Sequence, residues 1–171
     1  MHIIKIWHEK LFKLSRNDLV AHSARVPIEL VPISAANAEP VKSLRGAEYE
    51  AQFLRHVALG DFGYYAVKDG VPVGYGWVKH EGSDDYFFKI GAHTDYLCRF
   101  FVREEERGQG IYPALITALI EREAEVDTFY IAVERGNESS ERGLLKVGFK
   151  PVCEKSFLRV LKLTLNKKKI R

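Results

Sequence analysis

Two glycines at a strand-to-helix junction, Gly108 and Gly110, constrain the fold of this chain more than any other feature. Upstream, Tyr96–Val102 is apolar on both faces apart from one arginine, as expected for a central β-strand. Downstream, apolar residues recur every three or four positions over Tyr112–Ile120, which predicts one buried helical face. Pro113 is compatible only with the first turn of a helix, so this helix begins near Gly110.

Strand and helix signals continue on both sides of the junction. Strands are predicted at Ile28–Ile33, Gly63–Lys68, Val71–His80, Tyr86–Ile90, Asp95–Arg103, Thr128–Val133 and, as one or two strands, within Phe149–Leu165. Further helices are predicted in Ser34–Leu59, divided near Gly46, and at Ser139–Val147, with Asn137 as its cap and Gly148 just past its end. Asp69-Gly70 is a strong hairpin signal. The order predicts a mixed α/β (α+β-like) sheet.

The N-terminal residues carry the weakest signals. His2–Trp7 is compatible with a short strand, whereas Glu9–Leu14 and Asn17–Leu19 have weak helical character. We therefore expect residues 1–26 to be an N-terminal extension of one domain over residues 1–171, a length that can bury a sizeable core.

Composition excludes several classes of protein. With 46% apolar residues the chain is not disordered, and a formal charge of +3 is too small to hold a nucleic acid, even with a basic C-terminal tail. No apolar run approaches the roughly 20 residues of a membrane helix, and charges interrupt the N-terminus too early for a secretory signal. The two cysteines form no disulfide framework, and the six histidines show no metal-ligand spacing. We expect a cytoplasmic protein without a metal site or membrane contact.

The glycine pair also predicts an anion-binding site. Where a helix begins without bulky side chains, free N–H groups and the positive end of the helix dipole form an anion site. Arg107 adds a fixed charge that suits phosphate. The dinucleotide fingerprint would need glycine where Pro113 stands, and the Gly-Lys-Ser/Thr of nucleoside-triphosphate loops is absent. With both of these loops excluded, we expect this turn to bind a pyrophosphate mainly through its backbone N–H groups.

These residues resemble the GNAT superfamily of N-acetyltransferases. Its signature, Arg/Gln-x-x-Gly-x-Gly/Ala after a central strand, is matched by Arg107, Gly108, Gln109, Gly110 and Ile111. A second family block, an asparagine, a small residue three positions later and Gly-Phe, is matched by Asn137, Ser140 and Gly148-Phe149. The resemblance implies a single-domain GNAT fold, with a central mixed, mostly antiparallel sheet of about six to seven strands flanked by about four helices.

The resemblance also implies acetyl-CoA as the acyl donor. In that case Val102 pairs its N–H and C=O with the pantetheine arm like an added strand, and Phe100 and Phe101 lie near the thioester. Asn137 and Ser140 contact the pantetheine from the other side of the cleft. The pyrophosphate cradle is formed by Arg107, Gly108, Gln109, Gly110, Ile111 and Tyr112.

The chain departs from the family pattern at two positions. Tyr112 places a large side chain where the signature ends in Gly or Ala. Leu144 stands where many members carry a tyrosine that protonates the leaving thiolate. Because a thiol has a pKa of about 8.5, its thiolate is a tolerable leaving group even without that acid.

The catalytic base is the least determined part of the site. Many members carry a carboxylate at the position of Tyr96, so we rank Tyr96 acting through a bound water first and Glu134 second. Neighbouring candidates are Asp95, His93 and His80. A backbone N–H near residues 101–102, held by a strand bulge, is expected to meet the oxyanion.

The resemblance implies transfer of an acetyl group from acetyl-CoA to an amine by direct attack in a ternary complex. A small-molecule acceptor is expected, with an amino sugar as the leading candidate, and Tyr65, Tyr75 or Trp77 lining its cleft. Two alternatives stay open: acetylation of a sugar hydroxyl, and a non-catalytic module that binds acyl-CoA. Homodimers are common in such folds, but no motif here determines one or the acyl-chain length.

Overall fold

A computed structural model describes residues 3–80 and 90–161, and these form a seven-stranded sheet with helices on both faces. The strands are β1 Ile3–Ser15, β2 Glu29–Pro32, β3 Phe62–Lys68, β4 Val71–Lys79, β5 Thr94–Val102, β6 Thr128–Glu134 and β7 Lys150–Leu161. The helices are α1 Val41–Arg45, α2 Glu48–Ala58, α3 Ile111–Arg122 and α4 Glu138–Val147. The predicted mixed α/β fold is confirmed.

The strand order is β2-β3-β4-β5-β6-β1-β7, and its only parallel pair among the described residues is β5 with β6. All the other neighbours are antiparallel. At the predicted hairpin, Asp69 and Gly70 both have positive φ, 51° and 76°, as a two-residue turn that follows the twist of the strands requires. The strand predicted at Tyr86–Ile90 lies, except for Ile90, outside the described residues.

The N-terminal segment differs from the prediction. Residues predicted as a helix at Glu9–Leu14 belong to the single long strand β1, which is inserted between β6 and β7. Phe12 and Leu14 are 2% and 1% exposed, because neighbours cover both edges of β1 and the core covers one face. The helical prediction was wrong because pairing with distant strands outweighs weak local propensity. The signal at Asn17–Leu19 corresponds to a short 3₁₀ turn at Arg16–Asp18.

Two apolar layers lie on opposite faces of the sheet. On one face α3 buries seven of its 12 residues, with Leu115 and Ile116 fully inaccessible to solvent. On the other face α1 and α2 cover an aromatic cluster in which Phe53 packs edge-on against Trp77 at 5.1 Å. Trp77 and Tyr65 are 0% and 2% exposed, so they build core instead of lining a cleft.

The second predicted motif forms a capped helix as expected. The side chain of Asn137 accepts a hydrogen bond from the backbone N–H of Ser140 at the start of α4. Gly148 follows α4 with a φ of 104°, in the left-handed region that favours glycine. These two residues therefore set both ends of α4, which brings its first turn close to the end of β6.

Candidate functional site

A wedge-shaped gap opens between the two parallel strands. β5 and β6 are paired only over residues 94–97 and 128–131, although both strands continue further. On its far side β6 stays paired with β1 up to Glu134, and β5 stays paired with β4 up to Val102. The facing edges of residues 98–102 and 132–134 are therefore left without strand partners, and an extended chain with amide groups fits between them.

Val102 presents its backbone to this gap. The N–H of the next residue, Arg103, donates to Val73 O of β4 at 2.8 Å. Because backbone groups of successive strand residues point to opposite edges, those of Val102 point towards β6. The Nε–H of Arg107 donates to the Val102 carbonyl at 3.3 Å, so the free N–H of Val102 is the better partner for a bound arm.

A bulge interrupts β5 just before this point. Phe101 is opposite Tyr75 and Cys98 is opposite Trp77, so Arg99 and Phe100 together face the single residue Gly76. Arg99 has a φ of 54°, in the left-handed region. A bulge was predicted to hold the backbone at residues 101–102, and the structure has one immediately before them, where Phe100 packs over the bare face of Gly76.

The turn before α3 has the geometry of an anion site. Gly108 and Gly110 both have a φ of 80°, and no atom lies within 4 Å of a Cβ added at Gly108. The N–H groups of residues 108–112 donate to no acceptor among the described residues. The side chain of Gln109 donates to Glu106, which also pairs with Lys68 at 2.8 Å, so the turn is held in place. These groups fit a pyrophosphate.

Arg25 is a cation near this turn that the sequence analysis missed. Its backbone N–H donates to Gln109 O at 2.7 Å, and Ser23 and Ala24 lie beside Gly110. Its side chain is exposed. No local sequence signal marks Arg25, because its proximity to the glycine turn depends on how residues 16–28 cross the surface of α3.

Tyr112 lies between β5 and α4, and Asn137 and Ser140 lie at the start of α4. The ring of Tyr112 packs edge-on against Phe100 at 5.2 Å and against Gly143 of α4. Burial raises the pKa of the Tyr112 phenol, while its interaction with the Ser140 hydroxyl lowers it. Asn137 uses its side-chain oxygen to cap α4, so its amide N–H₂ group is left to donate.

A cleft of about 350 Å³ lies beside the bulge. Its lining consists of Arg45, Glu48, Tyr49, Gln52, Tyr75, Arg99 and Phe100. The guanidinium of Arg45 lies 4.4 Å from the ring centre of Tyr49 and 4.8 Å from that of Phe101. Within the described residues, neither Arg45 nor Arg99 pairs with a carboxylate. The cleft therefore holds two arginines that an acidic ligand can pair with.

The two arginines influence the pKa of Tyr75, a buried phenol in the same cleft. Burial raises the pKa of Tyr75, whereas the charges of Arg45 and Arg99 lower it. Of the three hairpin aromatics considered from the sequence, only Tyr75 lines the cleft. Arg99 had a sequence signal, as the single charge in an apolar strand, but its role was not predicted.

The predicted catalytic residues are placed apart from each other. Tyr96 is 3% exposed and packs with Leu11 and Ile90, about 10 Å along the strand from the bulge. Glu134 is exposed at the end of β6, at the mouth of the gap. Leu144 is fully buried in the core. The roles of Tyr96 and Glu134 remain predictions.

The other base candidates lie at the opposite end of the sheet. Asp95 is the second residue of β5, and its carboxylate is 3.0 Å from Nδ1 of His80. This hydrogen bond raises the pKa of His80, partly offset by burial, with smaller contributions from Glu123 and Asp61. His93 is exposed in the turn before β5. The gap, the bulge and the cleft are all remote from this end.

Comparisons with known proteins agree with this geometry. Residues 31–149 match the family model described as "Acetyltransferase (GNAT) family". Comparison with curated protein sequences gives no significant match.

Similar solved structures include a GCN5-related N-acetyltransferase from Kribbella flavida (16% identity, TM-score 0.63, 92% of this chain and 59% of that one). A GNAT acetyltransferase from Colwellia psychrerythraea is also similar (16% identity, TM-score 0.62, 94% and 57%). A third is a fungal multi-domain GH3 β-N-acetylglucosaminidase with a GCN5-related glucosamine N-acetyltransferase region (15% identity, TM-score 0.62, 92% and 21%). This chain thus spans about three fifths or less of the length of these proteins.

The family match covers most of the chain, and the fold agrees with it, so the chain belongs to the GNAT acetyltransferase family. The resemblance predicted from the two sequence blocks is confirmed. The family transfers acyl groups from acyl-CoA. No helix in the described ranges is long and apolar enough to cross a bilayer.

Proposed function

We propose that this chain transfers an acetyl group from acetyl-CoA to the amine of a small acceptor that also carries an acidic group, by direct attack in a ternary complex. The observation that carries this proposal is the juxtaposition of the β5–β6 gap with the arginine-containing cleft across the bulge of β5. The gap suits an extended donor, and the cleft suits a compact acceptor.

The donor would be held mainly by backbone groups. The N–H groups of the turn before α3, with the Arg107 and Arg25 side chains beside them, would bind the pyrophosphate. The N–H of Val102 and the side-chain amide of Asn137 would bind the amide groups of the pantetheine arm. Acetyl-CoA, when bound, supplies an activated thioester.

A phenol at the gap can replace the acid that the chain lacks at Leu144. Tyr112 reaches from α3 to Ser140 of α4, and its ring also packs against Phe100 of β5. The Tyr112 hydroxyl carries its proton at neutral pH, as any phenol does, and it can donate that proton to a leaving sulfur. Burial raises its pKa and makes it a weaker acid than a free phenol. Tyr96, acting through water, and Glu134 are the proposed bases. Glu48 lines the cleft itself and can orient an ammonium group.

The cleft supports an acidic amine as the acceptor. Arg45 and Arg99 are positioned to pair with a carboxylate or phosphate, which arginine binds through two parallel hydrogen bonds. Tyr49 and Tyr75 line the cleft with aromatic rings, and the partly exposed ring of Tyr49 suits stacking on a sugar ring. An amino sugar with a phosphate or carboxylate satisfies both features, and one structural relative is described as a glucosamine N-acetyltransferase region.

Calorimetry with acetyl-CoA, followed by assays of thiol release, tests this proposal. We expect micromolar binding that is lost in the Arg107→Ala, Gly110→Trp double variant. Three matched acceptors then separate the alternatives: glucosamine, phosphorylated glucosamine and phosphorylated glucose. Faster turnover of phosphorylated glucosamine supports the proposal. Turnover of phosphorylated glucose would indicate acetylation of a hydroxyl instead.

The second candidate function is a non-catalytic module that binds acyl-CoA. The buried Leu144 in place of the family's acid favours it. Binding of acetyl-CoA without turnover of any acceptor would support the module, and absence of binding by the folded chain would contradict both functions.

A further inference from the structure

Three side chains that can ligate a metal ion converge at the end of the sheet opposite the gap. His80 follows β4, Asp95 lies at the start of β5, and Glu123 follows α3. One ligand atom from each residue lies within 4.8 Å of the other two. The three residues come from separate elements, so their sequence spacing shows no metal motif.

The carboxylate of Asp95 is the second observation that points to a ligand. Asp95 is 2% exposed, and its Oδ1 is the hydrogen-bond partner of His80 at 3.0 Å. Its other oxygen, Oδ2, is buried and has no hydrogen-bond partner among the described residues. Buried carboxylate oxygens without partners are rare, because nothing compensates for their lost hydration. A bound cation would supply the missing partner.

Both carboxylates and arginines lie near this cluster among the described residues. Among the described residues, the Glu123 carboxylate forms an ion pair with its chain neighbour Arg122, with Nε at 3.5 Å, and that guanidinium also lies over the ring of Phe62. Asp61 adds a carboxylate whose field reaches His80. Arg16 donates to backbone carbonyls at the end of α3, including that of Glu123, and not to these side chains.

We propose that His80, Asp95 and Glu123 bind one divalent transition-metal ion. One imidazole nitrogen and two carboxylate oxygens form a ligand set that suits Zn²⁺ and leaves a coordination position for water. At metal–ligand distances of about 2.0–2.2 Å, the ligand atoms of a tetrahedral site are roughly 3–3.5 Å apart. Nδ1 of His80 and Oδ1 of Asp95 already have this separation at 3.0 Å, and the ion would replace their hydrogen bond while Oδ2 turns to it as a second contact. A carboxylate oxygen of Glu123 lies within 4.8 Å of the other ligand atoms and would approach the ion.

The ion would link three elements without taking part in acyl transfer. Helix α3 has 12 residues and is about 18 Å long, and it separates Glu123 from the glycine turn at its other end. A metal here would join the end of α3 to the end of β4 and the start of β5. The proposal is therefore independent of the proposed function.

Equilibrium dialysis and calorimetry of the untagged full chain with Zn²⁺ test the site, after treatment with a chelator. We expect one Zn²⁺ per chain, a raised Tm with Zn²⁺, and little binding of Mg²⁺. Glu123→Gln and His80→Gln should each weaken Zn²⁺ binding at least tenfold. The matched controls Glu125→Gln and His93→Gln change exposed residues at the same end of the sheet and should keep the affinity.

Circular dichroism establishes that each variant is folded, and Co²⁺ gives a readout of the ligands. The visible absorption of bound Co²⁺ should be lost in His80→Gln and kept in His93→Gln. The proposal is overturned if the folded wild type binds no stoichiometric Zn²⁺, or if the two control variants lose as much affinity as the ligand variants.

Discussion

The ring of Tyr112 lies against the bare Cα of Gly143, so that a Cβ added at position 143 would be 2.7 Å from Cδ1 of the tyrosine. This contact joins the first turn of α3 to the middle of α4 across the mouth of the gap. It explains how the chain accommodates a large side chain at the last position of the glycine signature. Helix α4 has no side chain at Gly143, so the tyrosine ring fits there.

Gly143→Ala should therefore lower the free energy of unfolding by about 1–3 kcal/mol, because the methyl group overpacks against a ring already held by Phe100. The same change should weaken acetyl-CoA binding, since it displaces Tyr112 from the gap. Urea unfolding and calorimetry measure the two effects. Gly91→Ala is the control, because no atom lies within 4 Å of its added Cβ. Equal stability of the two variants would contradict the packing argument.

Tyr112→Phe keeps the ring and removes only the hydroxyl beside Ser140. If the phenol protonates the leaving sulfur, kcat should fall by a factor of roughly 10²–10⁴ with little change in acetyl-CoA affinity. Steady-state kinetics with the best acceptor measures both. Tyr64→Phe, a partly buried tyrosine on β3, should leave kcat unchanged. An unchanged kcat in Tyr112→Phe would show that the phenol does not protonate the leaving sulfur.

Gly108→Ala and Gly70→Ala form a matched pair. Both glycines have similar positive φ angles, 80° and 76°, and an added Cβ at either meets no atom within 4 Å. Each variant should lose about 1–2 kcal/mol of stability from left-handed backbone strain. Only Gly108→Ala should weaken acetyl-CoA binding, by about tenfold or more, because its methyl group would occupy the open space through which a pyrophosphate approaches the backbone N–H groups, at the cost of about one charge-assisted hydrogen bond. Calorimetry decides this, and equal affinity in both variants would argue against the cradle.

Arg45→Ala and Arg99→Ala should each raise KM for an acidic amine about tenfold or more, because each removes a charged partner of the acid group. The KM for acetyl-CoA should not change. Arg45→Lys should raise the KM for the acidic amine almost as much as Arg45→Ala does, since lysine lacks the planar guanidinium that lies near the rings of Tyr49 and Phe101. Arg55→Ala, on an exposed position of α2, is the control. A similar KM increase with a neutral amine would show that the arginines do not recognise the acid.

Two substitutions on β1 measure how much this strand contributes to the fold. Phe12→Ala should cost about 3–5 kcal/mol, because Phe12 is 2% exposed within the main apolar cluster. Ile6→Ala should change the stability by less than about 1 kcal/mol, because Ile6 is 60% exposed. Chemical unfolding of both variants provides the comparison. If Phe12→Ala were as stable as Ile6→Ala, β1 would be a dispensable extension.

Much of the site's framework could be predicted because its signals are local. Pro113 and the glycine pair place the start of α3, and Asn137 with Gly148 places both ends of α4. The hairpin at Asp69-Gly70 likewise depends on two adjacent residues with positive φ. Helix caps and tight turns are determined by neighbouring residues, so they can be recognised in the sequence.

The acceptor cleft could not be predicted in this way. Arg45 is the last residue of the short helix α1 and Arg99 belongs to a strand, and the two share a cleft only because α1 and α2 pack over the bulge of β5. Arg25 approaches the glycine turn for a similar reason. An isolated arginine in a sequence carries no sign of the group that it will face.

By itself, the sequence determined the family, the turn that suits a pyrophosphate and the elements on either side of it, because these depend on residues close together in the chain. Only the tertiary structure decided that β1 enters the sheet between β6 and β7, that Tyr112 packs on Gly143, and that His80, Asp95 and Glu123 meet. Each of these arrangements depends on strand pairing and packing between distant segments. Their free energy comes from contacts that no local propensity encodes.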